Sequence, residues 1–283
     1  MGYAILERIM SNSEQQLTPS KVIIKPQLDK EPEALRKQFF AMKSSRDLAQ
    51  LLEIPYQRLV YHIYQVPLDK RYLNFELRKK SGGTRIISAP ATALKLIQKK
   101  LNHILQCAYQ SKPSVHGFIS SKSIVTNAQA HVRRRYVLNV DLKEFFPSIN
   151  FGRVRGMFIA LPYAFSPELA TVLAQICCHD NQLPQGAPTS PIVSNMMCAK
   201  LDSQLQQLAK RLRCTYTRYA DDITFSTTLP KFPKELAYFV DIDNQQKLIL
   251  GNELILTINN NGFQVNEKKL GCSQEMIAKK LQV

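Results

Sequence analysis

From Leu77 to Val140 the chain runs 64 residues without one Asp or Glu, yet it carries 12 Lys and Arg. These are Arg78, Lys79, Lys80, Arg85, Lys95, Lys99, Lys100, Lys112, Lys122, Arg133, Arg134 and Arg135. No fold can pair those charges from within the segment. Self-repulsion therefore raises its folding cost unless a polyanion neutralises it. This segment supplies 12 of the formal net charge of +16 over 283 residues. This balance points to nucleic acid, with an anionic membrane surface a distant second. A hydrophobic content of 45% makes it a globular protein and not a disordered basic tail.

Two other classes are disfavoured. The longest apolar run, around Met157 to Phe165, is short and broken by Pro162, so no membrane span is expected. Met1 to Met10 carries Glu7 and Arg8 in its apolar stretch and does not read as a signal peptide. The six cysteines form no CxxC pair and have no His at zinc spacing. Cys177-Cys178-His179 reads as packing, because adjacent side chains diverge. A reduced, cytoplasmic protein is expected.

Residues 1 to about 30 are polar and aperiodic, a lead-in. Helical spacing from Pro32 to Tyr64 predicts two or three short helices. Phe75 to Lys80 and Thr84 to Ser88 read as strands joined at Ser81-Gly82-Gly83, and Ala93 to Ala108 as an amphipathic basic helix. A strand is expected over Tyr136 to Leu142, with helices near Gly152 to Ala160 and Pro167 to Cys178. Pro191 to Leu212 is predicted as the longest helix, and Thr215 to Ser226 as a hairpin with a tight Ala-Asp turn. Leu248 to Asn261 reads as a helix, and Gly262 to Leu270 as turn plus strand. This order suits an α+β fold, an antiparallel sheet backed by helices.

Asp141 falls at the exit of the Tyr136 strand, and Asp221 and Asp222 at the hairpin tip. If the two elements are sheet neighbours, the carboxylates can share one cleft. Two Mg²⁺ ions about 3.5–4 Å apart would then be bridged, one activating a hydroxyl and the other holding a triphosphate. Neighbouring strand residues face opposite ways, which favours Asp221 as the bridging ligand and Asp222 as an outer one. Asp is also common in turns, so the Asp-Asp pair alone is weak evidence.

Tyr219-Ala220-Asp221-Asp222, flanked by strands, resembles the signature of reverse transcriptases. Four more segments resemble that family in the same order. Arg78 to Ile86 is similar to the fingers hairpin, and Val140-Asp-Leu-Lys-Glu-Phe-Phe-Pro-Ser-Ile to the first carboxylate motif. Leu183-Pro-Gln-Gly-Ala-Pro-Thr-Ser-Pro resembles the loop opening the long palm helix, and Gly262-Phe-Gln-Val-Asn-Glu-Lys-Lys the late lysine motif. The resemblance covers roughly residues 75 to 270. It implies a right-hand polymerase fold: an N-terminal helical region over 1–70, basic fingers over 71–135, and a palm over 136–283 with a fingers segment inserted at about 150–190.

It also implies roles. Asp141, Asp221 and Asp222 would be the catalytic carboxylates and hold two Mg²⁺ ions, with Mn²⁺ as a substitute. Arg85 would clamp the incoming dNTP with its planar fork, assisted by Lys79 or Lys80. Generic backbone binding is the alternative reading of these three. Phe146, five residues after Asp141, lies where the family has an aromatic gate against the ribose 2′-OH. Phe145 reads as core. Gln185 and Gly186 would open the nucleotide pocket, glycine allowing close approach by the base pair. Lys269 matches the lysine that protonates the pyrophosphate leaving group, although a solvated surface lysine is nearly as good a reading.

Asn127-Ala-Gln-Ala-His131 resembles the NAxxH element of retron reverse transcriptases. Read without the family, Asn127 and His131 lie one helical turn apart and can form a buried polar pair. Read with it, they join Arg133, Arg134 and Arg135 in binding the structured noncoding RNA that serves as template and primer. A retron enzyme copies that RNA from the 2′-OH of an internal guanosine into a branched RNA–DNA hybrid. It commonly acts in antiphage defence with a separate effector protein. Group II intron-like and abortive-infection enzymes share the other motifs, and a non-catalytic RNA-binding scaffold on the same fold is the rival class. The family's pattern continues into a helical thumb with a Val-Thr-Gly element, which is not evident here.

Overall fold

The structure, a computed structural model, describes residues 28–78, 82–242 and 245–274. Most of the expected lead-in, residues 1–27, lies outside these, as do Lys79 and Lys80. Two compact units divide the chain: residues up to Ala108 with Phe151–Cys178 and Gly186–Pro188, and the remainder. The 109–135 segment, expected with the fingers, belongs to the second unit.

The first unit is helical with one hairpin. Pro32 opens the Pro32–Ala41 helix, where its missing N–H costs nothing, and Leu35 and Phe39 one turn apart are buried. Ser44 and Asp47 form a capping box that starts Ser45–Leu51. Phe39 meets Phe165 edge-on at 5.1 Å, tying this layer to the Phe151–Ile159 and Pro167–Cys177 helices. The Thr92–Ala108 helix buries Ile97, Leu101, Ile104 and Leu105. Its Lys100 is also buried and donates to the carbonyl of Leu52 at 2.9 Å, so this charge is internal. Strands β1 (Tyr72–Arg78) and β2 (Thr84–Pro90) pair antiparallel from Tyr72↔Pro90 to Arg78↔Thr84. Gly82 (φ 87°) and Gly83 (φ 80°) supply the left-handed backbone of their connection.

The second unit is built on a four-stranded antiparallel sheet in the order β4-β5-β3-β8, with β3 Tyr136–Asp141, β4 Thr215–Tyr219, β5 Asp222–Thr227 and β8 Gly271–Gln274. Leu138 and Val140 of β3 and Ile223 and Phe225 of β5 fill the core. A further two-stranded hairpin joins β6 (Ala237–Ile242) and β7 (Gln245–Leu250). Among the described residues no helix is long and apolar enough to cross a membrane.

Three expectations are corrected. The predicted Pro191–Leu212 helix is two helices, Ser190–Met197 and Ala199–Arg211, meeting at Cys198. Hydrogen bonds continue through the joint, but the Ser194 hydroxyl donates back to the Pro191 carbonyl at 2.8 Å, a contact that bends helices. The predicted Leu248–Asn261 helix starts only at Asn252. Leu248 to Leu250 belong to β7, and Gly251 breaks the run where a Cβ would lie 2.0 Å from the Glu235 carbonyl oxygen. The late turn-plus-strand contributes a single bridge, Leu142↔Val265, and a 3₁₀ turn at Glu267–Lys269, and the strand begins at Gly271.

Candidate active site

β3 ends at Asp141, β5 begins at Asp222, and these two are register partners. Asp221 sits with Ala220 in the two-residue turn between β4 and β5. The Asp221 carbonyl accepts the N–H of Leu142 at 3.0 Å, so the backbone itself joins the turn to the exit of β3. Ala220 has φ 57°, a left-handed conformation that costs an alanine about 1–2 kcal/mol.

Asp141 is only 4% exposed, and both its oxygens are engaged. Oδ1 accepts from Asn266 Nδ2 at 2.9 Å and Oδ2 from Lys269 Nζ at 2.6 Å, while its main-chain carbonyl accepts the Asn266 N–H at 2.8 Å. The late lysine motif is thereby docked on the first carboxylate. Lys269 stays largely exposed, and its pKa is raised, first by the hydrogen bond to Asp141. The Asp222 carboxyl lies at the surface but is crowded. Partial desolvation, then repulsion from Asp221 and Asp141, pushes its pKa up to about 6 against the opposing pull of Lys269.

Among the described residues no three His, Cys, Asp or Glu side chains close on one point at ligand distance. The donor chemistry nonetheless fits hard divalent cations, which take carboxylate oxygens. Beyond the desolvation that contributes most to the Asp222 shift, Asp221 and Asp141 both raise its pKa and Lys269 lowers it, so three carboxylates stand against one ammonium. Asp141, Asp221 and Asp222 are the residues that would hold such ions.

Behind the hairpin lies a buried polar network. Arg218 of β4 is fully buried and grips Asp202 of the Ala199–Arg211 helix with Nε to Oδ1 at 2.7 Å and Nη2 to Oδ2 at 2.8 Å. Its Nη1 donates to the Ala220 carbonyl at 3.0 Å and its Nη2 to Asn195 Oδ1 at 3.1 Å, and the Tyr216 hydroxyl donates to Asp202 at 2.6 Å. A planar five-donor fork suits this geometry.

His131 requires a correction. It is 5% exposed, with Nδ1 at 2.6 Å from Ser226 Oγ and Nε2 at 2.7 Å from Thr217 Oγ1. Both ring nitrogens are committed to hydroxyls of β4 and β5, so its place is structural and not at an RNA surface. Nor does it pair with Asn127, whose buried Oδ1 has no hydrogen-bond partner among the described residues. Arg133 and Arg135 are exposed, and Arg134 is half-buried.

The remaining expected residues fall in both units. In the second, Glu144 (φ 45°) turns the chain into the short Phe145–Ser148 helix. Phe145 is buried and stacked on Phe263 at 5.7 Å, as its core reading expects, while Phe146 is half-buried. Gln185 is partly exposed. In the first unit Arg85 is exposed on β2, opposite Leu77. Gly186 has φ 119°, and a Cβ there would meet Ile87 Cγ2 at 2.9 Å and the Ser88 carbonyl oxygen at 3.0 Å. Its glycine requirement thus already follows from β2. Sequence reasoning missed the roles of Asn266, Arg218 and Asp202. Arg218 beside the Tyr-Ala-Asp-Asp segment was the available signal, since a charge inside a strand that buries both faces needs a partner.

The chain is similar in sequence to known proteins. Retron Mx65 reverse transcriptase of Myxococcus xanthus is 38% identical over 204 residues, covering 65% of this chain and 47% of that protein. Retron Ec86 reverse transcriptase of Escherichia coli is 34% identical over 215 residues, covering 75% and 66% respectively. The chain spans about half the length of the Myxococcus relatives, 47% of Mx65 and 44% of Mx162. Among solved structures, telomerase from Candida albicans in complex with a telomeric RNA fragment aligns at TM-score 0.45 and 10% identity, over 72% of this chain and 43% of that one. The model of the reverse transcriptase (RNA-dependent DNA polymerase) family matches residues 77–277, which take in β2, the carboxylate-bearing sheet and the docked lysine motif, and the chain belongs to that family.

Proposed function

We propose that this chain is an RNA-directed DNA polymerase of the retron type. It would copy a structured noncoding RNA into a branched RNA–DNA hybrid and work with a separate effector protein in antiphage defence. The observation that carries the catalytic part is the register of Asp141 against Asp222, with Asp221 in the adjoining turn. The retron part is supported by the similarity to retron enzymes.

Asp141, Asp221 and Asp222 would hold two Mg²⁺ ions, or Mn²⁺ in their place, which when bound activate the primer hydroxyl and hold the triphosphate. Lys269 is an ammonium at neutral pH, as lysines ordinarily are, and its hydrogen bond to Asp141 holds it beside the carboxylates, where it would donate a proton to the pyrophosphate leaving group. Arg85, Lys79 and Lys80 would grip the triphosphate of the dNTP, Gln185 and Gly186 would border its pocket, and Phe146 would exclude a 2′-OH. Arg133, Arg134 and Arg135 would hold phosphates of the template-primer RNA.

Wild type and Asp221→Asn, each purified from cells with the native RNA, test both parts. The wild type is expected to carry DNA joined through a 2′ branch to RNA, so that RNase leaves a ribonucleotide stub. The variant is expected to carry RNA alone, because losing a metal ligand removes a rate contribution on the order of 10³-fold or more. DNA bound equally to both proteins overturns the polymerase reading, and linear, stub-free DNA on the wild type overturns the retron reading.

A further inference from the structure

Phe118 has φ 63°. A bulky aromatic residue in the left-handed region is a true outlier, and such strain persists only where the surroundings over-determine the backbone. Here they do. The preceding Gly117 lies so close to the β4–β5 turn that a Cβ would stand 2.3 Å from the Ala220 nitrogen and 3.0 Å from the Tyr219 carbonyl carbon. The Gly117 carbonyl accepts from Asn195 Nδ2 at 3.0 Å, and the His116 N–H donates to the Arg218 carbonyl at 2.8 Å. With the main chain held at His116 and Gly117, the Phe118 side chain is 39% exposed. Core packing does not account for an exposed ring on a strained backbone.

The Phe118 ring meets Phe146, with centroids 6.0 Å apart and planes tilted by 44°. Phe146 in turn touches Phe145 at 5.3 Å and 61°, and Phe145 is buried against Phe263. Phe146 is therefore flanked by a core-anchored ring, Phe145, and by the half-exposed Phe118, at separations and tilts favourable for aromatic pairs. A steric gate discriminates only if its ring cannot rotate away from the sugar.

We propose that Phe118 is the positioning residue of the sugar gate, bracing Phe146 in the orientation that excludes a ribose 2′-OH. This rests on the reading of Phe146 as that gate. The same contact gives the left-handed backbone at Phe118 a purpose: it aims the ring at Phe146 while Gly117 stays pinned to the turn that carries Asp221.

Single-nucleotide primer extension with dNTP and rNTP tests the proposal on the full chain. Phe118→Gly suits the backbone, since glycine adopts φ 63° without strain, so folding is retained. The variant is expected to lose roughly 3- to 10-fold in the ratio of dNTP to rNTP use, the worth of one aromatic pair. Phe118→Tyr is expected to discriminate like wild type. Phe146→Ala, measured alongside, must itself lose discrimination. If Phe146→Ala loses it and Phe118→Gly does not, the bracing role alone is overturned. A proportional drop in dNTP and rNTP use by Phe118→Gly also overturns it, as the mark of a purely structural residue. If Phe146→Ala discriminates like wild type, the gate reading fails and takes the proposal with it.

Discussion

His131 shows how a single side chain can serve the site without facing it. Its imidazole bonds Thr217 on β4 and Ser226 on β5, so it ties the segment after the Ile124–Gln129 helix to the hairpin that presents Asp221 and Asp222. Burial, reinforced by the charges of Arg134 and His116, holds its pKa down to about 4 from an ordinary 6.5. The unfolded chain therefore binds a proton that the folded chain refuses. Stability is complete above pH 6.5 and falls as the pH drops toward 4. At pH 5 the penalty from His131 is about 2 kcal/mol. His116 is shifted the same way, by burial first, so the whole protein does not report on one residue. The difference between wild type and His131→Gln does. Urea unfolding at pH 7.5 and pH 5 is expected to show the wild type losing about 2 kcal/mol more than the variant over that interval. Equal losses would mean that His131 is protonated in the folded state.

At the scale of elements, the β4–β5 hairpin is held from behind by the Arg218–Asp202 pair, and its own two-residue turn contains a left-handed alanine. A buried pair of this kind is weak evidence of net stability, because desolvation offsets much of the attraction, but stranding one partner is severe. Arg218→Met or Asp202→Leu alone is expected to cost about 3–5 kcal/mol, and the double variant clearly less than the sum. Urea denaturation of the four proteins closes the cycle, and additive losses would mean that the two side chains do not act as a unit. The elements that were readable in advance are those whose signals are local. Alternation and a turn marked β4 and β5, two glycines marked the β1–β2 connection, and the apolar run into Asp141 marked β3. The elements that were missed depend on contacts distant in sequence. Leu248-Ile249-Leu250 has helical composition but pairs with Phe239 and its neighbours as β7, and Gly251 must approach the Glu235 backbone. Likewise, His131 and Asn127 carry the same spacing whether they face RNA or the sheet. Only the Thr217 and Ser226 hydroxyls decide between those readings.

The charge of the whole molecule, +16, belongs to the same argument, because not all of it is available to a partner. Lys100 is buried on the Leu52 carbonyl, and Lys122 donates to the carbonyls of Val115 and Pro113. These two ammonium groups are held by backbone carbonyls and help fold the acid-free segment. Arg133 and Arg135, by contrast, are exposed just before the strand that ends at Asp141, and Lys95 and Lys99 are exposed on the Thr92–Ala108 helix. RNA binding through six to ten such contacts is expected to weaken by about 10³- to 10⁵-fold between about 50 and 200 mM salt. The distinction between internal and external charge sharpens the test. Arg133→Gln with Arg135→Gln is expected to lower the slope of log affinity against log salt by about one unit per lost contact. Lys122→Met also removes a formal positive charge, one where the arginine pair removes two, but its ammonium is held by two carbonyls, so it is expected to reduce stability and leave the slope unchanged. Filter binding of the native RNA across a salt series measures both. A slope that falls equally per charge removed for the arginine and lysine variants would mean that net charge, and not the exposed subset, sets the grip. A nearly flat wild-type response would mean that the basic segment faces some other partner.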